Sequence, residues 1–195
     1  KEILSIRMDR IANDFLPFDV TISCGGDTAS LPLFTGEIME VSLSRGVQWD
    51  RKFATQAHSS VMHLFSLDPI GRLLSTFQKR KDVGALQFAV VALNSFLDYS
   101  SKPGRRSSIG RIPSADHSAA VRVRVLIKFI QVTRERQDVD YALLARTCDC
   151  LKYWSDWLSK SKHYSKNNHG LMGAIALLHS AIQFGSTPHS SAYFE

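Results

Sequence analysis

The stretch from Asn167 to Ile182 reads NNHGLMGAIALLHSAI, so two amides and an imidazole precede an unbroken apolar run. Asparagine is favoured at the start of a helix, because its side chain accepts a hydrogen bond from a free backbone N–H. The run predicts a helix that ends near Gly185. Free N–H groups and the positive end of the helix dipole can hold an anion at such a position. A capping asparagine with a solvent-facing His169 fits the same residues.

Outward from this stretch, apolar residues recur at helical spacing through most of the chain. They predict helices over residues 1–16, 49–65, 70–79, 82–97, 114–132 and 138–158. Asp68, Asp82, Ser114 and Asp138 are the expected capping residues. Lengths of about 12 to 20 residues and mostly short connections favour antiparallel helical hairpins. A basic segment rich in Ser, Gly and Pro, residues 100–113, is expected to be a loop with little packed structure.

Residues 18–43 have a different sequence pattern from the helical segments. Alternating stretches flank Gly25-Gly26-Asp27, which predicts a small β-hairpin or an irregular extended segment, with the hydrophobic core built elsewhere. The expected fold is therefore mainly α, in one helical domain over residues 1–195. It comprises an N-terminal helix and extended segment (1–48), helical hairpins (49–184) and a tail (185–195).

The composition suits a globular protein with one buried core: 195 residues, 44% hydrophobic and 22% charged. The net charge of +6 and the pI near 9.4 favour contact with a polyanion, whether acidic polysaccharide, nucleic acid or an anionic surface. No apolar run is long enough to span a bilayer. Cys24, Cys148 and Cys150 are expected to be free thiols. The sequence has no zinc cluster, phosphate-binding glycine loop or G-x-S-x-G elbow, and we expect no metal and no cofactor.

Two motifs stand in order along the chain: ADHSAAVRV at Ala115–Val123 and NHGLM at Asn168–Met172, which leads into a further apolar run. Together with the aromatic and aliphatic spacing of 49–99, they resemble the helical domain of the heparinase II/III-like polysaccharide lyases. That family includes alginate lyases and proteins of exopolysaccharide loci. Many of its members carry a tryptophan shortly before the Asp-His pair, where this chain has residues 113–115, Pro-Ser-Ala.

The resemblance implies an incomplete α/α toroid. It also implies that the chain is the front part of a larger bacterial protein, periplasmic or extracellular, which continues into further toroid helices and a β-rich domain. Such lyases cleave an acidic, uronate-containing polysaccharide by β-elimination. Asn168 and His169 occupy the positions that neutralise the uronate carboxylate. The tyrosine and histidine that move protons in the family would both follow Glu195.

Further candidates for substrate binding are His117, Arg122, Asn167 and Trp49. The planar guanidinium of Arg122 suits a sugar carboxylate. A structural role is favoured for Arg122 and for Asp116, which complements the helix dipole and could pair with Arg122. Both roles stay open for His117.

Two other functions compete with a lyase. The domain could bind glycan without cutting it, within an exopolysaccharide assembly or export system. Nucleic-acid binding through the basic segment and Arg122, Arg124 and Lys128 ranks last, because the aromatic residues fit core positions rather than a stacking surface.

Overall fold

The structure is a computed structural model that describes residues 23–33, 37–50, 57–112, 114–134, 136 and 140–184. The predicted helix over 1–16 and the predicted cap Asp138 lie outside these residues. The elements in chain order are strands β1 (Ser23–Gly25), β2 (Thr28–Pro32) and β3 (Ile38–Ser42), then helices α1 (Ala57–Ser66), α2 (Asp68–Arg80), α3 (Val83–Ser101), α4 (Arg105–Ile109), α5 (Ala115–Thr133), α6 (Tyr141–Leu158) and α7 (Asn168–Phe184). The prediction of a mainly α fold with a small antiparallel β segment is confirmed.

The strands form an antiparallel sheet in the order β1-β2-β3, with Leu31 opposite Met39 and Ala29 opposite Val41. These four side chains are buried while their neighbours along the strands are more exposed, which is the alternation expected of a sheet with one covered face. They join the main hydrophobic core, and β3 packs against α3. The core is built mostly from helical residues, and the strands contribute these four residues to it.

Several helix ends follow from local chemistry. Asp82 caps α3 as predicted, because its Oδ1 accepts a hydrogen bond from the Ala85 N–H at 3.1 Å. Asp140 caps α6 in the same way, through the Ala142 N–H at 2.9 Å. Ser114 precedes α5 in the left-handed region (φ 52°) and makes no side-chain cap.

Two predicted segments differ from the structure. Trp49 lies in a turn outside any helix, and the described part of α1 begins at Ala57. The basic segment 100–113 is not an open loop, since α3 continues to Ser101 and α4 occupies part of it. Ile109 of α4 is buried in the core. Arg106 of the same helix stacks on Tyr153, with 4.7 Å from Cζ to the ring centroid, so both contacts hold this short helix against the protein.

Helix α5 is the centre of the helical packing and contacts α1, α2, α6 and α7. Its polar side chains also reach neighbouring helices: Ser118 donates to the Met62 carbonyl of α1 at 3.2 Å, and Lys128 Nζ donates to Ser75 Oγ of α2 at 2.6 Å. With neighbours on several sides, α5 is fixed in position along its whole length. Among the described residues, no helix is long and apolar enough to cross a membrane.

Candidate functional site

The first turns of α5 and α7 meet, and they bring the two sequence motifs together. His169 Nδ1 lies 3.5 Å from Asp116 Oδ2. The ring centroids of His117 and His169 are 5.0 Å apart, with the ring planes tilted by 59°. The Asp-His and Asn-His-Gly motifs therefore form one cluster at the N-terminal ends of two helices, where free N–H groups and two positive dipole ends favour an anion.

Ser165 completes this cluster and was not predicted. Its hydroxyl donates a hydrogen bond to Asp116 Oδ2, the same oxygen that faces His169. Ser165 is placed by the close approach of its backbone to Gly170: a Cβ on Gly170 would lie only 1.8 Å from the Ser165 carbonyl oxygen. The glycine of the Asn-His-Gly motif thus allows the loop before α7 to reach Asp116.

The two asparagines have different environments. Asn167 caps α7, since its Oδ1 accepts a hydrogen bond from the His169 N–H at 2.8 Å. Of the two asparagines, Asn167 is therefore the capping residue. Asn168 is the first residue of α7 and its side chain is exposed beside His169. An amide there can donate to a ligand that also reaches the imidazole.

The charges of the cluster follow from its surroundings. Burial acts to raise the pKa of Asp116, but hydrogen bonds from Ser165 and the backbone, with the attraction of His169, outweigh burial and lower it. The pKa of His117 is lowered, chiefly by burial and then by repulsion from His169 and His63. His117 Nδ1 is buried without a hydrogen-bond partner among the described residues. Near neutral pH, an ionised Asp116 therefore faces the imidazoles.

Four imidazoles make the stability depend on pH. Burial is the main cause that lowers the pKa of His63, His117, His163 and His179 below the ordinary value of 6.5. The unfolded chain then binds more protons than the folded chain around that value, so the free energy of unfolding falls as pH decreases through it. Asp116 does not change this trend, because its lowered pKa preserves its contribution down to more acidic pH.

Urea denaturation at about pH 7.5 and about pH 5.5 measures the effect. We expect lower stability at the acidic pH and a smaller difference in His179→Gln, which removes one of the four groups. A stability that rises on acidification would contradict the prediction.

Arg122 and Trp49 do not lie in this cluster. The Arg122 guanidinium is fully buried: its Nε donates to the Phe65 carbonyl at 2.7 Å, its Nη2 donates to the same oxygen, and it stacks on Trp154 with 3.9 Å from Cζ to the ring centroid. Burial lowers the pKa of Arg122 to about 9, so the group stays charged at neutral pH. Its partner is a backbone carbonyl instead of the predicted Asp116.

Trp49 is 5% exposed, packs on Phe65, Phe96 and Tyr99, and donates from Nε1 to Ser95 Oγ at 3.0 Å. These contacts are those of a core residue. Two clefts of about 560 Å³ each lie beside the sheet, and Trp49 borders one of them, but neither is lined by the residues of the cluster.

Of the three basic residues of α5 suggested for nucleic acid, Arg122 and Lys128 are buried and Arg124 is half-buried. Within the described ranges, no group of three or more His, Cys, Asp or Glu side chains is arranged to hold a metal ion. The cluster itself consists of hydrogen-bond donors and acceptors at the start of two helices.

Comparisons with protein-family models, with curated proteins and with solved structures found no match to this chain. A function for this chain must therefore be argued from the geometry at the start of α5 and α7. The resemblance to heparinase II/III-like lyases stays a prediction.

Proposed function

We propose that this chain forms the carboxylate-binding part of a polysaccharide lyase-like domain that acts on a uronate-containing polysaccharide by β-elimination. One observation carries the proposal. The two motifs that suggest such a lyase are separated by about fifty residues in the sequence, yet Asp116, His117 and His169 lie within contact of each other. The net charge of +6 favours an acidic polymer.

The reaction requires neutralisation of a carboxylate. A base removes the proton at C5 of the uronate, next to the carboxylate, and an acid protonates the departing glycosidic oxygen at C4 as a C4–C5 double bond forms. The developing carbanion adds negative charge to a group that is already charged. Preorganised hydrogen-bond donors aimed at the carboxylate lower this barrier.

The residues at the start of α7 fit that task by type and position. Asp116 faces Nδ1 of His169 and leaves Nε2 for the substrate. Asn168 adds an exposed amide, and the helix N-terminus adds the positive end of its dipole. His117 borders the same position. The resemblance assigns proton transfer to a tyrosine of a later helix and a histidine of a second domain, so we assign the described residues to carboxylate binding.

The test is to incubate the full-length protein with alginate, heparan-type and other uronate polymers and to follow the ultraviolet absorbance of the unsaturated product. We expect product from one of them. We also expect His169→Ala and Asn168→Ala each to lower kcat by roughly 100-fold or more, the typical effect of losing one such donor. His58→Ala, an exposed histidine on α1, is the matched control and should keep full activity.

The non-catalytic alternative gives a different result in the same samples. A glycan-binding domain would bind the polymer without forming product, and His169→Ala would weaken that binding. A folded protein that neither binds nor cleaves any uronate polymer would contradict both functions.

A further inference from the structure

Tyr164 lies next to the cluster and is mostly exposed to solvent. Its side chain is 61% exposed, although Trp49, Trp154 and Tyr99 are all buried in the core. One ring carbon, Cε2, is 3.1 Å from the position that a Cβ on Gly170 would take, so the ring lies against the first turn of α7. Gly170 directly follows His169, and Tyr164 directly precedes the serine that bonds Asp116.

The backbone holds this tyrosine in place. Its N–H donates to the Ser161 carbonyl at 3.1 Å, which closes the short 3-10 turn at Ser161–His163, and its φ of −83° and ψ of 124° are ordinary extended values. The following residue is fixed to Asp116. The backbone of Tyr164 is thus held on both sides, which limits the backbone entropy lost when a ligand covers the ring.

An exposed aromatic ring beside an anion-binding position suits a sugar polymer. One face of a pyranose ring presents C–H groups with partial positive charge, and the face of an aromatic ring carries partial negative charge. Stacking the two also removes apolar surface from water. A uronate-containing chain has such a C–H face on its sugars and a carboxylate on each uronate, so neighbouring sugars can use the imidazole and the tyrosine ring together.

We infer that Tyr164 is a binding residue on which one pyranose ring of an acidic polysaccharide stacks while the carboxylate of the neighbouring sugar is held at His169. This inference rests on the proposed function and adds a subsite to it.

The experiment measures binding of a uronate tetrasaccharide, from the polymer that the full-length protein recognises, by isothermal titration calorimetry. We expect Tyr164→Ala to weaken binding roughly three- to tenfold, as expected for loss of one stacked ring. Tyr164→Phe keeps the ring and should stay within about twofold. Tyr141→Ala is the matched control, because Tyr141 is 86% exposed and begins α6, away from the cluster.

The outcomes separate the two proposals. Unchanged affinity in Tyr164→Ala, with binding lost in His169→Ala, would overturn the stacking role and leave the proposed function standing. An equal loss in Tyr164→Phe would also overturn it, since the hydroxyl and not the ring would then be the contact. Absence of binding by the unaltered protein would overturn both. Tyr164→Leu, which keeps apolar volume without a ring, replaces the alanine variant if that variant melts early.

Discussion

We expect Gly170→Ala to lower the free energy of unfolding by about 3 kcal/mol and to separate Ser165 from Asp116. The new methyl group would lie 1.8 Å from the Ser165 carbonyl oxygen and 3.1 Å from a Tyr164 ring carbon. A backbone carbonyl cannot move aside as a flexible side chain does, so the loop before α7 must shift. Alanine is intrinsically better than glycine inside a helix by about 1 kcal/mol, and the clash outweighs that gain.

Gly173→Ala is the matched control on the same helix. Its added Cβ would meet only Leu158 Cδ2, at an ordinary contact distance of 3.9 Å. We expect it to be neutral or to stabilise the protein by up to about 1 kcal/mol. Urea denaturation of both variants gives the comparison. Similar changes in the two would show that the Ser165 carbonyl does not require glycine at position 170.

We expect Arg122→Ala to lower the free energy of unfolding by about 4 kcal/mol. The substitution removes a fully buried side chain that stacks on Trp154, and it leaves a cavity between α5, α1 and α6. It also leaves the Phe65 carbonyl without the two N–H groups that Arg122 donates. Both losses occur in the interior, where relaxation is limited.

Two other variants serve as comparisons for Arg122→Ala. Arg122→Met fills much of the volume without a buried charge, so we expect a smaller loss of about 1 to 2 kcal/mol from the carbonyl alone. Arg146→Ala removes a partly exposed arginine that pairs with Asp98, and it should cost less than about 1 kcal/mol. Thermal and urea denaturation measure the stability of all three variants. An Arg122→Ala protein as stable as Arg146→Ala would contradict the structural role of Arg122.

The helices were largely predictable because their determinants are local. Periodic apolar residues place α2, α3, α5 and α7, and Asp82 caps as its residue type indicates. The prediction placed Trp49 in a helix because it lies four residues before the next apolar residue of the pattern that leads into α1. The chain turns at Trp49 instead. Spacing of this kind is satisfied equally by a helix and by a turn whose side chain reaches the core.

The candidate site was predictable only in part. The two motifs identify Asp116, His117 and His169, and the structure brings them together. Ser165 is one of several serines in a polar loop, and only its contact with Asp116 distinguishes it. Arg122 has the residue type of a ligand for carboxylates, but its burial depends on the arrangement of α1, α5 and α6. Contacts between segments that are distant in the sequence determine the roles of Ser165 and Arg122, and such contacts cannot be predicted from local residue spacing.

The meeting of α5 and α7 also has a consequence for synthesis of the protein. Asp116 leaves the ribosome 49 residues before Ser165. At a translation rate of about 5 to 20 residues per second, this interval is roughly 2 to 10 s. During that time the Asp-His pair exists without the residues that complete the cluster. The contacts of Asp116 with Ser165 and His169 therefore form only after α7 has been made and has docked against α5.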